Sequence, residues 1–403
     1  MAAYDTFQPP LASTDQSLKR GLSRRELLLI LALFVVTRLL VTGIGLVSLR
    51  LLPSSEGEEF THLLDGGPAL DMWYRWDAGF YASIATYGYD WFNERQPADD
   101  MAFLPLYPLA TRAVMAVSGC GFTPYLSTCA TVSGLVVSNA ALLAAACLLF
   151  VLTRAAAGTP VAWHAVGLLM LSPAGVYLSG VYTEALFLLL TLLVFVALER
   201  GRFGRAVAAA VLACLTRSVG IALVPALLWA AWRGPSVSGG ARLGRMALAL
   251  APGLVFAAYI LGAGLYVGAP LAYFQTYNST WERPAGSILG AFAAYFSGEP
   301  VSWFGWQLSW LDLLAALGFL ALGGLVLRWR VTWGLYALAA IVVPIFSGTL
   351  VAMPRFGLVV FPFYSELARW MQAARWRQAL VYAVALALLL LVTSRFVTWR
   401  WIA

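Results

Sequence analysis

The feature that most constrains this chain is a set of apolar runs long enough to cross a bilayer. Residues 27–52, 125–152, 246–266, 312–327, 331–351 and 379–394 are the clearest of them. A helix needs roughly 20 such residues to span the hydrocarbon. Only 11% of the 403 residues are charged, and the mean hydropathy is +0.79. A soluble globule of this size cannot cover its surface with so little charge. A membrane β-barrel would show alternating segments of ~10 residues, and none stands out. The expected fold is an all-α polytopic membrane protein with about 10–11 membrane segments.

Charge sets the orientation. Residues 1–26 are polar, and Lys19, Arg20, Arg24 and Arg25 stand just ahead of the first apolar run. That run is too long and too far from the start for a cleaved signal. Residues 1–26 therefore read as a cytoplasmic tail, and 27–403 as a single transmembrane domain. The basic residues, 25 Arg and one Lys, are scattered between the apolar runs. The formal net charge of +7 then reads as positive-inside charge, with no nucleic acid as partner. Four cysteines without metal spacing and two histidines make zinc or iron chemistry unexpected. The cysteines read as small apolar packers.

Acid is distributed differently. Ten of the 19 acidic residues fall between residues 56 and 100 against two basic ones, a net −8 that leaves +15 on the rest. With the first span running outward, residues 53–124 form a large first extracytoplasmic loop with interfacial helices. The aromatic-rich residues 267–311 form a second, whose rings read as an interfacial belt more readily than as sugar platforms. Most of the acids read as solvated surface. The stretch "MWYRWDAGFYASIATYGY" is different. There Trp73, Trp76, Phe80, Ile84 and Tyr87 recur three or four apart, as one stripe of an interfacial helix. Asp77 and Tyr81 share a neighbouring face and Arg75 projects from another. Asp77 is then either a base placed to meet a lipid-borne substrate or a surface carboxylate paired with Arg75.

Other ionisable residues interrupt apolar sequence. Arg38 lies in the middle of the first span, where it is costly unless it pairs or snorkels. A hairpin over 161–199 brings its tip, "LSPAGVYLSGVYTEA", back to the outer face with Glu184. Glu184 is a functional candidate by its depth, or else a hydrogen-bonded helix cap. Residues 206–232 are too long for one span and short for two, and "LTRSVG" breaks them at Arg217. The span after residue 331 emerges at "SGTLVAMPRF", which places Arg355 outside. Residues 101–118, with Arg112, make a short span or an interfacial helix, and charge parity favours the latter.

Four pieces in order resemble one family. "RWDAGFYASIATYGY" is followed by "AFLPLYPL", then come "LSPAGVYLSGVYTEALFLLL" running into "LERGR", then "LTRSVG", then "MPRFGLVVFPFY". They resemble the PIG-V family, within the GT-C superfamily of polyprenyl-phosphate-sugar-dependent glycosyltransferases. The resemblance implies a GT-C-type helical bundle whose first outer loop carries the catalytic acid. By motif position that acid is Asp77, with Glu184, Arg217 and Arg355 at other motif positions.

The implied activity moves a hexose, most simply mannose, from a polyprenyl-phosphate donor to a hydroxyl of a lipid-linked or cell-envelope glycan, with inversion. In it Asp77 is the base, and Glu184 is its partner or a sugar-hydroxyl ligand. Arg217 and Arg355 clamp the phosphate, Arg75 orients Asp77, and Trp76, Tyr81 and Tyr182 complete the substrate-binding set. No cofactor or metal is expected beyond the lipid-borne donor. The partners are that donor, a glycolipid or glycan acceptor, and the bilayer. The Arg-for-Lys bias points to a bacterial plasma membrane, with the active site on its extracytoplasmic face. A secondary transporter or a lipid-linked-sugar flippase is the competing reading. Arg38 and Arg217 keep it open, but acids gathered in one outer loop fit poorly with inverted repeats.

Overall fold

A computed structural model describes residues 20–56, 63–64, 67–89, 99–120, 128–234, 238–279, 286–296, 302–303, 306–307 and 310–400. Glu58, Glu59, Asp65, Asp90, Glu94 and Arg95 of the acidic loop lie outside these residues, as do Trp281 and Phe304. The first half of the described chain forms α1 (Arg24–Leu51), α2 (Pro68–Asp71), α3 (Ala78–Tyr87), α4 (Leu106–Val117), α5 (Thr128–Ala157), α6 (Thr159–Met170), α7 (Val176–Ser179), α8 (Glu184–Glu199) and α9 (Phe203–Cys214). There follow α10 (Val224–Arg233), α11 (Gly239–Ala249), α12 (Ala251–Tyr266), α13 (Ala272–Ser279) and α14 (Ile288–Ala293). The chain closes with α15 (Trp310–Leu327), α16 (Val331–Ile345), α17 (Met353–Leu358), α18 (Phe361–Met371) and α19 (Arg375–Val397). Extended pairing among the described residues is confined to a two-residue antiparallel ladder, Ser302–Trp303 with Trp306–Gln307.

The protein is an all-helical bundle, as the apolar runs require. Among the described residues, α1, α5, the α11–α12 unit, α15 and α19 are long and apolar enough to cross a membrane. Shorter apolar helices, α4, α6, α9 and α16 among them, fill the space between. Each predicted run meets its helix, and α16 stops at Ile345, one residue after Pro344. A capping box starts α1: Ser23 Oγ accepts from the Glu26 amide at 3.2 Å, and Glu26 answers to the Ser23 amide at 2.7 Å. Its flank of Val36 and Leu39 is exposed, as suits a surface facing lipid. Helix α8 sits in the core between α5 and α9, with Phe187, Leu188, Leu192 and Phe195 buried. Ala141, Ala145 and Ala146 let α5 approach closely.

Polar side chains tie the broken segments together. Arg38 donates to the Met170 carbonyl at 2.7 Å, the Gly175 carbonyl at 3.2 Å and Ser179 Oγ at 2.6 Å. It thus satisfies backbone freed where the hairpin breaks between α6 and α7. Its partners are neutral. Arg112 donates to the last carbonyls of α3, Ala85 at 2.7 Å and Thr86 at 2.8 Å, a favourable place for a cation. Helix α4 has 12 residues, roughly 18 Å of helix, short of the ~30 Å hydrocarbon.

Two expectations change. The aromatic stripe from Trp73 to Tyr87 is not one helix: α3 begins only at Ala78, after Trp76 takes a left-handed φ of 54°. A left-handed residue cannot continue a right-handed helix. The buried face of α3 is Ala78, Tyr81, Ala82, Ile84, Ala85 and Thr86, packed on α4 and α5. The cysteines also differ from plain packers. Cys120 and Cys129 form a disulfide from the end of α4 to the start of α5, while Cys147 and Cys214 are free thiols.

Candidate active site

Four charged side chains reach the site from separate breaks in the bundle. Asp77 caps the start of α3, and its carbonyl accepts from the Tyr81 amide at 3.2 Å. Glu184 opens α8, where the helix dipole favours an anion. Arg217 lies in extended backbone (φ −147°, ψ 139°) between α9 and a 3₁₀ turn at Ser218–Leu223. Arg355 is the third residue of α17, whose cap, Ala352, has a left-handed φ of 69°. Non-glycine left-handed residues cost roughly 1–3 kcal/mol each and cluster where function demands a fixed shape. The described examples are Trp76, Ala352 and Trp399. Two of these adjoin site segments, and Trp399 packs on Trp76 at 5.2 Å between ring centroids.

The charges alternate along one chain of contacts. Arg355 Nη1 donates to Asp77 Oδ2 at 2.8 Å. Its Nε donates to Glu184 Oε1. Arg217 Nη1 donates to the same Glu184 oxygen at 2.6 Å and to Thr183 Oγ1 at 2.9 Å. The Glu184 side chain is 0% exposed, against 16% for Asp77, 12% for Arg355 and 11% for Arg217. An unpaired carboxylate buried as Glu184 is would cost several kcal/mol; two guanidinium groups offset that. Aromatic faces line the other side. The Arg355 guanidinium carbon is 4.9 Å from the ring centroids of both Tyr177 and Tyr182, and that of Arg217 is 5.9 Å from Phe356.

The network leaves reactive atoms unengaged. Asp77 Oδ1 and the Nη2 groups of Arg217 and Arg355 make no hydrogen bond among the described residues. One carboxylate oxygen is held in place and the other can take a proton. Two planar cations retain donors for an anionic group. Among the described residues, no group of three or more His, Cys, Asp or Glu could hold a metal ion.

Asp77, Glu184, Arg217 and Arg355 thus meet, and Tyr81 and Tyr182 pack beside them with ring centroids 6.3 Å apart. Arg75 stands apart from this set. It is fully buried and pairs with Asp71 at 2.8 Å, so it neither bonds to Asp77 nor forms a surface ion pair with it. Asp71 is likewise buried, not solvated. The Tyr182 hydroxyl donates to the Arg75 carbonyl at 2.7 Å, so Tyr182 offers its ring face, not its hydroxyl, to Arg355. Trp76 packs on Trp399. Sequence reasoning missed Asp71, Thr183, Tyr177 and Phe356. The spacing of Asp71 and Arg75, four apart, was a usable signal for a pair; the other three lie within the quoted pieces "LSPAGVYLSGVYTEALFLLL" and "MPRFGLVVFPFY", which were their signal.

The family model for mannosyltransferase (PIG-V) matches residues 23–316. The chain belongs to the mannosyltransferase (PIG-V) family. The match contains Asp77, Glu184 and Arg217 and ends before Arg355, which the fold brings to the other three. Solved structures similar to this PIG-V family chain include two with a bound lipid phosphate. One is the oligosaccharyltransferase AglB from Archaeoglobus fulgidus in complex with an inhibitory peptide and a dolichol-phosphate: 12% identity, TM-score 0.46, 92% of this chain and 55% of that one. The other is ArnT from Cupriavidus metallidurans bound to undecaprenyl phosphate: 17% identity, TM-score 0.46, 88% of this chain and 63% of that one. The chain therefore spans less than two thirds of the length of either. None of the curated proteins compared with the chain matches it.

Proposed function

We propose that the chain is a membrane glycosyltransferase that moves a hexose, most simply mannose, from a polyprenyl phosphate to a hydroxyl of a lipid-linked or cell-envelope glycan, with inversion. Membership of a mannosyltransferase family supports the sugar. The observation that carries the reading is the guanidinium of Arg355, which holds Asp77 by one oxygen and Glu184 by another. In this reading Asp77 Oδ1 takes the proton of the acceptor hydroxyl while the hydroxyl oxygen attacks the anomeric carbon. The bond from that carbon to the phosphate oxygen breaks, and the lipid phosphate leaves with the electron pair. Protonation weakens the hold of Asp77 on Arg355 just as the phosphate gains charge, so the same cation passes from base to leaving group. Arg217, fixed through Glu184 and Thr183, supplies the second cation. A single lipid phosphate takes less charge than a nucleotide diphosphate, so two arginines suffice without a metal.

In this reading the reaction takes place on the extracytoplasmic side of a bacterial plasma membrane. The Cys120–Cys129 bridge beside α3 and α4 supports that side, because disulfides persist in oxidising compartments. The test is incubation of the purified protein with radiolabelled polyprenyl-phosphate mannose and membrane glycolipids. Label appearing in glycolipid supports the reading. Donor left intact, with neither transfer nor hydrolysis, contradicts it.

A further inference from the structure

We propose that the C-terminal end of α19 is a clasp that positions Asp77, and that Asp71 and Arg75 are the positioning residues that transmit its hold. Arg75 lies fully buried two residues before Asp77 and makes four bonds away from it. Its Nη2 pairs with Asp71 Oδ2 at 2.8 Å, its Nη1 donates to the Asp71 and Tyr74 carbonyls at 2.6 and 3.1 Å, and its Nε donates to the Val397 carbonyl at 3.1 Å. The other Asp71 oxygen accepts from the Leu63 and Leu64 amides at 2.7 and 3.1 Å. One buried ion pair therefore joins the acidic loop, the turn before Asp77 and the end of α19.

Further contacts close the clasp. The Ser55 amide donates to the Thr398 carbonyl at 3.1 Å, and Ser55 Oγ donates to the Trp399 carbonyl at 2.5 Å. Ser48 Oγ lies 2.8 Å from Ser394 Oγ. Helices α1 and α19 thus meet at their C-terminal ends, and the end of α19 lies beside the turn that precedes Asp77. Trp399 covers both residues that precede Asp77: its ring is 5.3 Å from the Arg75 guanidinium carbon and 5.2 Å from the Trp76 ring. Trp76 and Trp399 both hold left-handed backbone, at φ 54° and 59°. Such conformations persist only where surrounding contacts over-determine them. The backbone turn that aims Asp77 is fixed from outside the site, by the far end of the chain.

The inference rests on the proposed function only for the role of Asp77, so its test includes a readout taken without substrate. The variants are Asp71→Asn, Trp399→Ala and Trp399→Phe in the full-length protein. Hydrogen exchange over residues 72–81 should rise by ~10-fold or more in Asp71→Asn and Trp399→Ala, with α5 and α8 unchanged. Transfer should lose about 100-fold in kcat with the donor KM held within about 2-fold, since a misaimed base costs rate and not binding. Trp399→Phe should keep both near the wild-type level, because a ring still covers Trp76. If Trp399→Ala loosens the whole fold, Asp71→Asn decides. Unchanged exchange over residues 72–81 in Asp71→Asn overturns the clasp whether or not the protein transfers sugar. A wild-type protein without transferase activity overturns the transfer reading and leaves the clasp to be decided by exchange alone.

Discussion

Arg355 and Asp77 are 278 residues apart in sequence and 2.8 Å apart in space. The same guanidinium reaches Glu184, so one side chain fixes the distance between the two carboxylates. A compact ammonium has three donors on one nitrogen and lacks the planar fork that sets the spacing of the two acceptors. Arg355→Lys is therefore expected to lose about 100-fold or more in kcat/KM although the charge is kept. Steady-state transfer with the donor varied checks this. Activity within a few fold of wild type would show that the fork is not needed.

Glu184 is the anion on which both arginines converge. Glu184→Gln keeps the shape and removes the charge, leaving two partly buried cations with only Asp77 between them. Removing one partner of a buried pair costs about 3–5 kcal/mol. The variant should unfold at a clearly lower temperature in detergent and lose transfer. If Glu184 were only a helix cap, thermal unfolding would hardly move.

The disulfide gives a prediction about side. In intact cells, Cys120 and Cys129 should resist alkylation until a reductant is added, because the bridge joins them in an oxidising compartment. Mass spectrometry of tryptic peptides under non-reducing conditions reads this directly. Both thiols free in freshly isolated membranes would remove the support that the bridge gives to the extracytoplasmic placement.

Much of this fold is legible in the sequence because membrane physics is local. Runs of apolar residues read as spans wherever they occur, and the hairpin tip "LSPAGVYLSGVYTEA" and the break at Arg217 fall where helices do end. Glu184 and Arg217 were visible for a related reason, since ionisable groups in apolar sequence demand an explanation; Arg355 was singled out by the family resemblance of "MPRF". What stayed hidden depends on pairing across distance or on backbone that no residue type announces. Helical periodicity carried the stripe from Trp73 through Trp76, since neither glycine nor asparagine marks the left-handed turn there. Arg75 was assigned to its neighbour Asp77, when the end of α19 and Asp71 hold it instead. The choice between Asp71 and Asp77 as its partner is settled by the turn at Trp76, and so by tertiary structure. The bridge between Cys120 and Cys129 depends likewise on how α4 meets α5.

The most direct measurement is made on Asp77→Asn, with donor binding and transfer followed in the same preparation. Amide for carboxylate leaves the side chain nearly the same size and takes away its ability to accept a proton. The variant should bind polyprenyl-phosphate mannose within a few fold of wild type and transfer at least ~1,000-fold more slowly, the loss set by a missing general base in a preorganised site. Transfer at close to the wild-type rate would contradict the account, because proton removal would then be the work of some other group.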